Sequence, residues 1–244
     1  MERFDNINKK VIFLEDSLII GNTLVIGDLH LGEKEILPKI YYNEIIEKFE
    51  RIFNEIKLKK INLDKIVILG DLKHEFGEIT NNEWRYVLDI IRYLGKKVKE
   101  IVIIKGNHDS LLMPILKKVE IGLKDYFFEC GALFLHGDRL IDKKVISKSK
   151  IIFLGHLHPA LSLSDEYKNE KFKCFLTGIW KNKIAYVLPS FSPVFPGYDL
   201  KNKDMHEDKD FFIIDRKFLL KFKVIIYDNK DNKEYNFGKL KELV

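Results

Sequence analysis

The chain has 244 residues, 46% of them hydrophobic and 32% charged, with a formal net charge of +5 and two cysteines. That balance excludes a disordered chain, and two cysteines without a metal-like or paired spacing exclude a thiolate metal site or a disulfide framework. No apolar run approaches the roughly 18 residues of a membrane span, and Met1 to Asp5 opens with mixed charges instead of a secretory leader, so a cytoplasmic protein with no membrane association is expected.

Taken in chain order, Val11 to Leu14 and Leu18 to Ile20 are short apolar runs, and Gly21-Asn22 separates the second from Thr23-Leu24-Val25-Ile26. This is a two-residue hairpin signal, so the sheet starts antiparallel. Pro38 introduces a segment with Ile45, Phe49, Ile52, Phe53 and Ile56 on one helical face. Lys65 to Leu69 reads as the next strand. Thr80 and Glu83 form a capping box, from which Trp84, Val87, Leu88, Ile91 and Leu94 continue at helical spacing to a stop at Gly95. Strand, helix, strand, helix, strand over residues 23 to 105 predicts a right-handed parallel unit. Beyond Gly122 the runs 126–128, 132–135, 151–154, 172–176 and 184–187 are strand-like. Lys201 to Asp210 is a charged loop candidate, followed by strand-like runs at Phe211 to Ile214 and Val224 to Tyr227. The expected fold is α/β, a two-sheet β-sandwich flanked by helices. Residues 1–200 are read as the main domain and 201–244 as a strand-rich extension packed on it.

Four apolar runs end in a glycine followed by Asp, Asn or His: Leu24 to His30, Ile66 to Asp71, Ile101 to Asp109 and Ile151 to His158. Ligands collect at the carboxyl ends of such strands, so the four are expected to aim at one point. Six of the seven histidines, His30, His74, His108, His136, His156 and His158, lie in or beside these ends, with Asp28, Asp71 and Asn107 in equivalent places. Alternation along a strand would direct Asp28 and His30 to one side, and His156 and His158 likewise. Imidazole, carboxylate and amide oxygen without thiolate suit Mn, Fe, Ni or Zn, and seven such ligands exceed the need of one ion. Two divalent metal ions are therefore expected.

The ordered series Asp28-Leu29-His30, Gly70-Asp71, Gly106-Asn107-His108-Asp109, His136-Gly137 and Gly155-His156-Leu157-His158 resembles the five-part signature of the calcineurin-like metallophosphoesterases. The resemblance implies a β-sandwich with a binuclear centre at the strand ends. One metal would take Asp28, His30 and His158, the other Asn107, His136 and His156, and Asp71 would bridge. A hydroxide would attack phosphorus, with His108 facing the leaving oxygen and Asp109 orienting its ring. Manganese is the preferred metal. His74 resembles a histidine that the SbcD and Mre11 nucleases carry near the phosphate, and Gly27-Asp28-Leu29-His30-Leu31-Gly32 with Leu188-Pro189-Ser190-Phe191-Ser192-Pro193 is similar to the small archaeal SbcD-related phosphoesterases and the DNA-ligase-associated phosphoesterases of bacteria. That likeness implies a phosphodiester substrate, single-stranded or end-frayed nucleic acid among the candidates, with a homodimer and a DNA-repair partner as further expectations.

Several residues are read two ways. His74 is either near the phosphate or a surface residue. Arg139 is a candidate phosphate contact or a surface ion pair with Asp138 or Asp142. Trp180, Phe191, Phe195 and Tyr198 form either a rim on which a base stacks or ordinary core and dimer contact. The lysine runs at 57–60, 96–99 and 143–144 are a nucleic-acid footprint or solvated helix ends. His206 is expected to be solvated. A phosphomonoesterase or protein phosphatase is the alternative enzyme, and a non-catalytic scaffold, which should have lost ligands, the alternative from another class.

Overall fold

The computed structural model describes residues 11–32, 38–77, 79–164, 168–202 and 212–244. The first half lays down β1 (Ile12–Leu14), β2 (Ser17–Ile20), β3 (Thr23–Ile26), α1 (Pro38–Leu58), β4 (Lys65–Ile68), α2 (Asn81–Gly95), β5 (Glu100–Ile104), α3 (Met113–Leu116) and β6 (Leu123–Lys124). The second half adds β7 (Phe127–Glu129), β8 (Ala132–Leu135), α4 (Lys143–Lys148), β9 (Ile151–Leu154), β10 (Pro159–Ser164), β11 (Asn169–Lys173), β12 (Phe175–Trp180), β13 (Lys183–Val187), β14 (Tyr198–Asp199), α5 (Arg216–Leu219), β15 (Lys223–Asp228) and β16 (Lys233–Lys239).

One sheet runs β1-β2-β3-β4-β5-β6 in sequence order, antiparallel up to β3 and parallel from β3 onward. The Gly21-Asn22 hairpin places Ile20 opposite Thr23, as the two-residue turn predicts. The other sheet runs β16-β15-β12-β13-β9-β8-β7, with β13, β9 and β8 parallel. A three-stranded sheet, β11-β10-β14, lies beside it. Of the run Phe211 to Ile214, expected as a strand, Phe211 lies outside the described residues and Phe212 to Ile214 form no strand: Ile213 and Ile214 lie in a bend, and Ile213 N donates to the carbonyl of Gly137. The charged stretch that holds His206 lies outside the described residues. β15 pairs with β12, so the expected C-terminal extension supplies one edge of the second sheet.

Strand alternation sorts the core into three layers. Leu24, Ile26, Ile66, Ile68 and Ile103 face α1 and α2, while Val25, Val67, Val102 and Ile104 face the other sheet. From that second sheet Phe134, Ile151, Phe153 and Phe175 point inward, and Leu133, Leu135, Ile152 and Leu154 outward. A row of rings crosses its inner face: Phe127, Phe134, Phe153 and Tyr186 are directly opposite one another on β7, β8, β9 and β13. Their centroids are 5.7, 5.1 and 5.4 Å apart, within the range for offset stacking. A Phe153→Ala change in this row would cost about 3–5 kcal/mol. The sandwich thus sets the carboxyl ends of five parallel strands, β3, β4, β5, β8 and β9, at one edge of a rigid core.

Candidate metal centre

The ligand candidates follow those strand ends directly. Asp28 and His30 come after β3, Asp71 after β4, Asn107 and His108 after β5, His136 after β8, and His156 and His158 after β9. The chain does not continue as a pleated strand there, which corrects the alternation expected for the Asp-x-His and His-x-His pairs. Asp28, His30, Asp71, His156 and His158 have φ of 59°, 50°, 49°, 66° and 47°, in the left-handed region. Non-glycine residues rarely adopt it, and each such turn stores strain of about 1–3 kcal/mol. Backbone hydrogen bonds between neighbouring loops hold it: Asp28 N to Gly70 O and His30 N to Asp71 O, both 2.9 Å. Gly106 is a steric requirement, because a Cβ there would lie 2.1 Å from Asp71 Oδ1.

The side chains converge in two groups that share Asp71. In one, the ligand atoms of Asp28, His30, Asp71 and His158 lie within 4.8 Å of one another; in the other, those of Asp71, His136 and His156 do. His30 also groups with His74 and His108 within the same span. His30 Nε2 is 3.4 Å from His158 Nε2, which is 3.1 Å from Asp28 Oδ1. In the second group His136 Nε2 is 3.0 Å from His156 Nδ1, 2.9 Å from Asn107 Oδ1 and 3.4 Å from Asp71 Oδ2. Donors at a metal–nitrogen distance near 2.1 Å stand roughly 3.0–3.4 Å apart around a four- or six-coordinate ion, so these spacings suit a shared cation. The donor set fits divalent metal in its second contacts as well. His136 Nδ1 is 2.8 Å from the carbonyl of Leu69, which can only accept, so Nδ1 carries the proton and Nε2 is directed at the centre. The amide of His156 donates to both Asp28 oxygens, each at 3.1 Å, and Ser190 Oγ donates to Asp28 O at 2.7 Å.

The electrostatics are those of a cluster built around positive charge. Burial opposes ionisation of Asp28, yet His158 and His136 hold its carboxyl below the usual range; His136, His30 and His108 do the same for Asp71. Burial also disfavours charge on His136, but Asp71 and Asp28 outweigh it and push the imidazole up to about 10. Burial, reinforced by the adjacent His158, drives His30 down to about 3. Without metal the carboxylates gather a proton onto His136, which a divalent cation would displace.

His74 and His108 face the same cavity of about 470 Å³, which is also lined by His30, Asp71, Phe76, Asn107, Phe195 and Tyr198. Nδ1 of His108 donates to the carbonyl of His74, and Nε2 lies 3.8 Å from Asp71 Oδ2. Asp109, expected to orient that ring, does something else. Its buried carboxylate accepts from Leu72 N, Lys73 N and Gly106 N at 3.1, 3.4 and 3.0 Å, tying the loop after β4 to the loop after β5. Arg139 pairs with Asp125 at 3.2 Å, both exposed, instead of with Asp138 or Asp142, and it is not among the residues lining the cavity. The aromatic candidates divide: Trp180 and Phe191 are core, whereas Phe195 and Tyr198 line the cavity.

Two residues at the site went unnoticed in the sequence. Phe76 closes the run Lys73-His74-Glu75-Phe76 before Gly77, an aromatic beside a motif histidine that could have been noted. Glu83 was legible only as a helix cap. In the fold it is fully buried, and besides Thr80 N its carboxylate accepts from His74 N and Glu75 N at 3.1 and 2.7 Å.

Among the described residues no helix is long and apolar enough to cross a membrane. No curated protein matches the chain. Among solved structures it is similar to the nuclease MPE of Pseudomonas putida, at 16% identity over 90% of this chain and 93% of that one, with a TM-score of 0.61. It is also similar to YfcE, a phosphoesterase from E. coli, at 13% identity over 89% and 98% of the two chains, with a TM-score of 0.40. Residues 21–187, more than half of the sequence, match the family described as calcineurin-like phosphoesterase. The chain belongs to this family of phosphoester hydrolases, which use divalent metals.

Proposed function

We propose that this protein hydrolyses phosphodiester bonds in nucleotides or nucleic-acid ends, in the cytoplasm, with two divalent ions of which manganese is the preferred one. The observation that carries the reading is the convergence of Asp28, His30, His158, His136 and His156 on two groups sharing Asp71, with Asn107 Oδ1 2.9 Å from His136 Nε2, beside a cavity walled by His74, His108 and aromatic rings. Asp28, His30 and His158 would hold one ion, Asn107, His136 and His156 the other, and Asp71 both. When bound, two such ions activate water and neutralise the phosphoryl oxygens of an in-line displacement.

The protein's own residues supply the rest. Water adds to phosphorus as the bond to the leaving oxygen breaks, and that oxygen must gain a proton. His108 is the group for this transfer in its doubly protonated form: Nδ1–H is committed to the His74 carbonyl, Nε2–H gives its proton to the leaving oxygen, and the water that adds to phosphorus releases the proton that replaces it. His74 binds the phosphate from the same wall. Similarity in fold to the P. putida nuclease supports nucleic acid among the substrates, as does the net charge of +5.

The test is Mn-dependent product release from end-labelled single-stranded DNA, run beside 2′,3′-cyclic AMP, with a chelated control and Asp71→Asn protein as blank. Cleavage of either diester that vanishes in both controls is expected. Turnover of phosphomonoesters alone would overturn the reading.

A further inference from the structure

Three aromatic side chains stand on one side of the candidate centre only. Phe195 is 5.0 Å from the ring of His30 and stacks on His74 at 5.6 Å and 27°. Phe76 lies 3.7 Å from His108, and Tyr198 lies 6.2 Å from His158 and within 17° of its plane. Among the described residues the opposite group has no such wall at the cavity, since Phe212, which stacks on His156, is buried.

Two of the three rings are open to solvent. Phe76 is 60% exposed and Tyr198 is 38% exposed, although both line the cavity. A large apolar side chain left uncovered beside a polar cluster points to something that covers it on binding. The backbone is shaped for this placement. Gly197 has φ 82°, and a Cβ on it would lie 2.5 Å from the carbonyl of His158, to which Tyr198 N donates at 2.7 Å. Phe76 sits at the end of the loop whose amides at His74 and Glu75 are tied to the buried carboxylate of Glu83. Neither ring hangs from a free segment.

Resting on the phosphodiesterase reading above, we infer that this wall is a base-stacking subsite that takes the unpaired nucleobase next to the scissile phosphate, on the side of His108. The occupant follows from the surroundings. The cavity has room for a nucleotide and not for a folded segment, and its floor is the imidazole and carboxylate cluster that receives a phosphate. A planar partner one sugar away from that phosphate reaches the cavity wall to which Phe76 and Tyr198 belong, and every nucleobase offers a face to stack whatever its sequence. A base held in a duplex has its faces covered by neighbours, so stacking here selects single-stranded or frayed ends.

The experiment compares a dinucleotide with its doubly abasic counterpart, using Mn-loaded wild type, Phe76→Ala, Tyr198→Ala and Phe76→Trp. Loss of one stacking partner should raise KM for the dinucleotide roughly 5- to 100-fold and leave the abasic substrate within twofold, with Phe76→Trp restoring the wild-type preference. Equal loss on both substrates, or no change on either, overturns the subsite. A second readout does not depend on turnover: a phosphorothioate-linked oligonucleotide with a terminal 2-aminopurine, added to the Mn-loaded protein, is expected to lose fluorescence on stacking, and less so with either alanine variant. If wild type cleaves no diester, the proposed function fails and this quenching decides the subsite alone; absence of quenching with wild type overturns it.

Discussion

Nδ1 of His108 donates its hydrogen to the backbone carbonyl of His74, so the two imidazoles of the cavity wall are tied to each other through main chain. A carbonyl accepts and cannot donate, which puts a hydrogen on Nδ1 of His108 and leaves Nε2 as the atom that would exchange a proton in the proposed reaction. Burial pulls His108 below its ordinary range, while the Asp71 carboxylate opposes that. Replacing His108 with Ala should therefore lower kcat for a dinucleotide by about 10²- to 10⁴-fold. With bis(p-nitrophenyl) phosphate, whose leaving oxygen needs no proton, the loss should be much smaller, and the metal content should stay at the wild-type level. An equal loss on both substrates would remove His108 from proton transfer.

Asp71 is shared by both ligand groups and is the residue whose neutralisation should be felt at both. Asp71→Asn keeps an oxygen that can accept from His108 N, now 3.0 Å from Oδ1, so the loop should stay in place. The variant should retain its circular dichroism and lose most of its bound metal by elemental analysis, together with turnover. Full metal content with full activity would show that the two groups do not share this carboxylate.

Glu83 joins the cap of α2 to the loop that carries His74 and Phe76 to the cavity. Its carboxylate serves three amides, those of His74, Glu75 and Thr80, and lies 3.9 Å from the buried ammonium of Lys73. Glu83→Ala would strand the amides of Glu75 and Thr80, while His74 N keeps its 3.0 Å bond to Leu31 O, and would remove a counter-charge from the interior. A loss of about 3–5 kcal/mol in urea unfolding is expected, well above the roughly 0.5–2 kcal/mol of a helix cap alone. Glu83→Gln keeps an acceptor oxygen and should recover part of it. A cost no greater than that of a cap would separate Glu83 from the loop.

How far the sequence could be read depended on whether a feature was local. The Thr80–Glu83 box, the Gly21-Asn22 hairpin and the glycine-ended strands are each set by neighbours in the chain, and each lies where the pattern put it. The convergence of the strand ends was also legible, since parallel strands in one packed sandwich must present their carboxyl ends together. The means of approach was not legible, because left-handed backbone at Asp28 or His156 is imposed by hydrogen bonds to other loops. The partners of Asp109 were missed for a similar reason. The resemblance implied His108 as its partner, whereas its carboxylate accepts from Gly106 N three residues before it and from two amides of a loop 36 and 37 residues away. Phe212 to Ile214 has a strand's composition, but the carbonyl that its backbone meets is in the turn after His136.

Lys173 illustrates the longest of these connections, and it predicts how stability changes in alkali. Its ammonium lies 3.3 Å from Asp16 and 2.8 Å from the carbonyl of Ser190, and it also donates to Ser192 O, in the segment that backs Asp28. Burial pushes Lys173 from an ordinary value of 10.5 down to about 8, against the pull of Asp16 and with the nearby charge of Lys48 adding to the fall. Between these two values the unfolded chain keeps the proton and the folded chain releases it. The unfolded state thus binds more protons, and the contribution of this residue to stability rises with pH across that window, while below pH 8 the cost of burying the charge is present in full. Wild type should gain on the order of 2 kcal/mol relative to Lys173→Met between pH 7 and pH 9.5. Asp16 keeps Lys48 at hydrogen-bonding distance in the variant, so the comparison isolates one ammonium. Urea unfolding of both proteins at the two pH values checks it, and a stability difference that does not move with pH would mean that Lys173 titrates as it does in water.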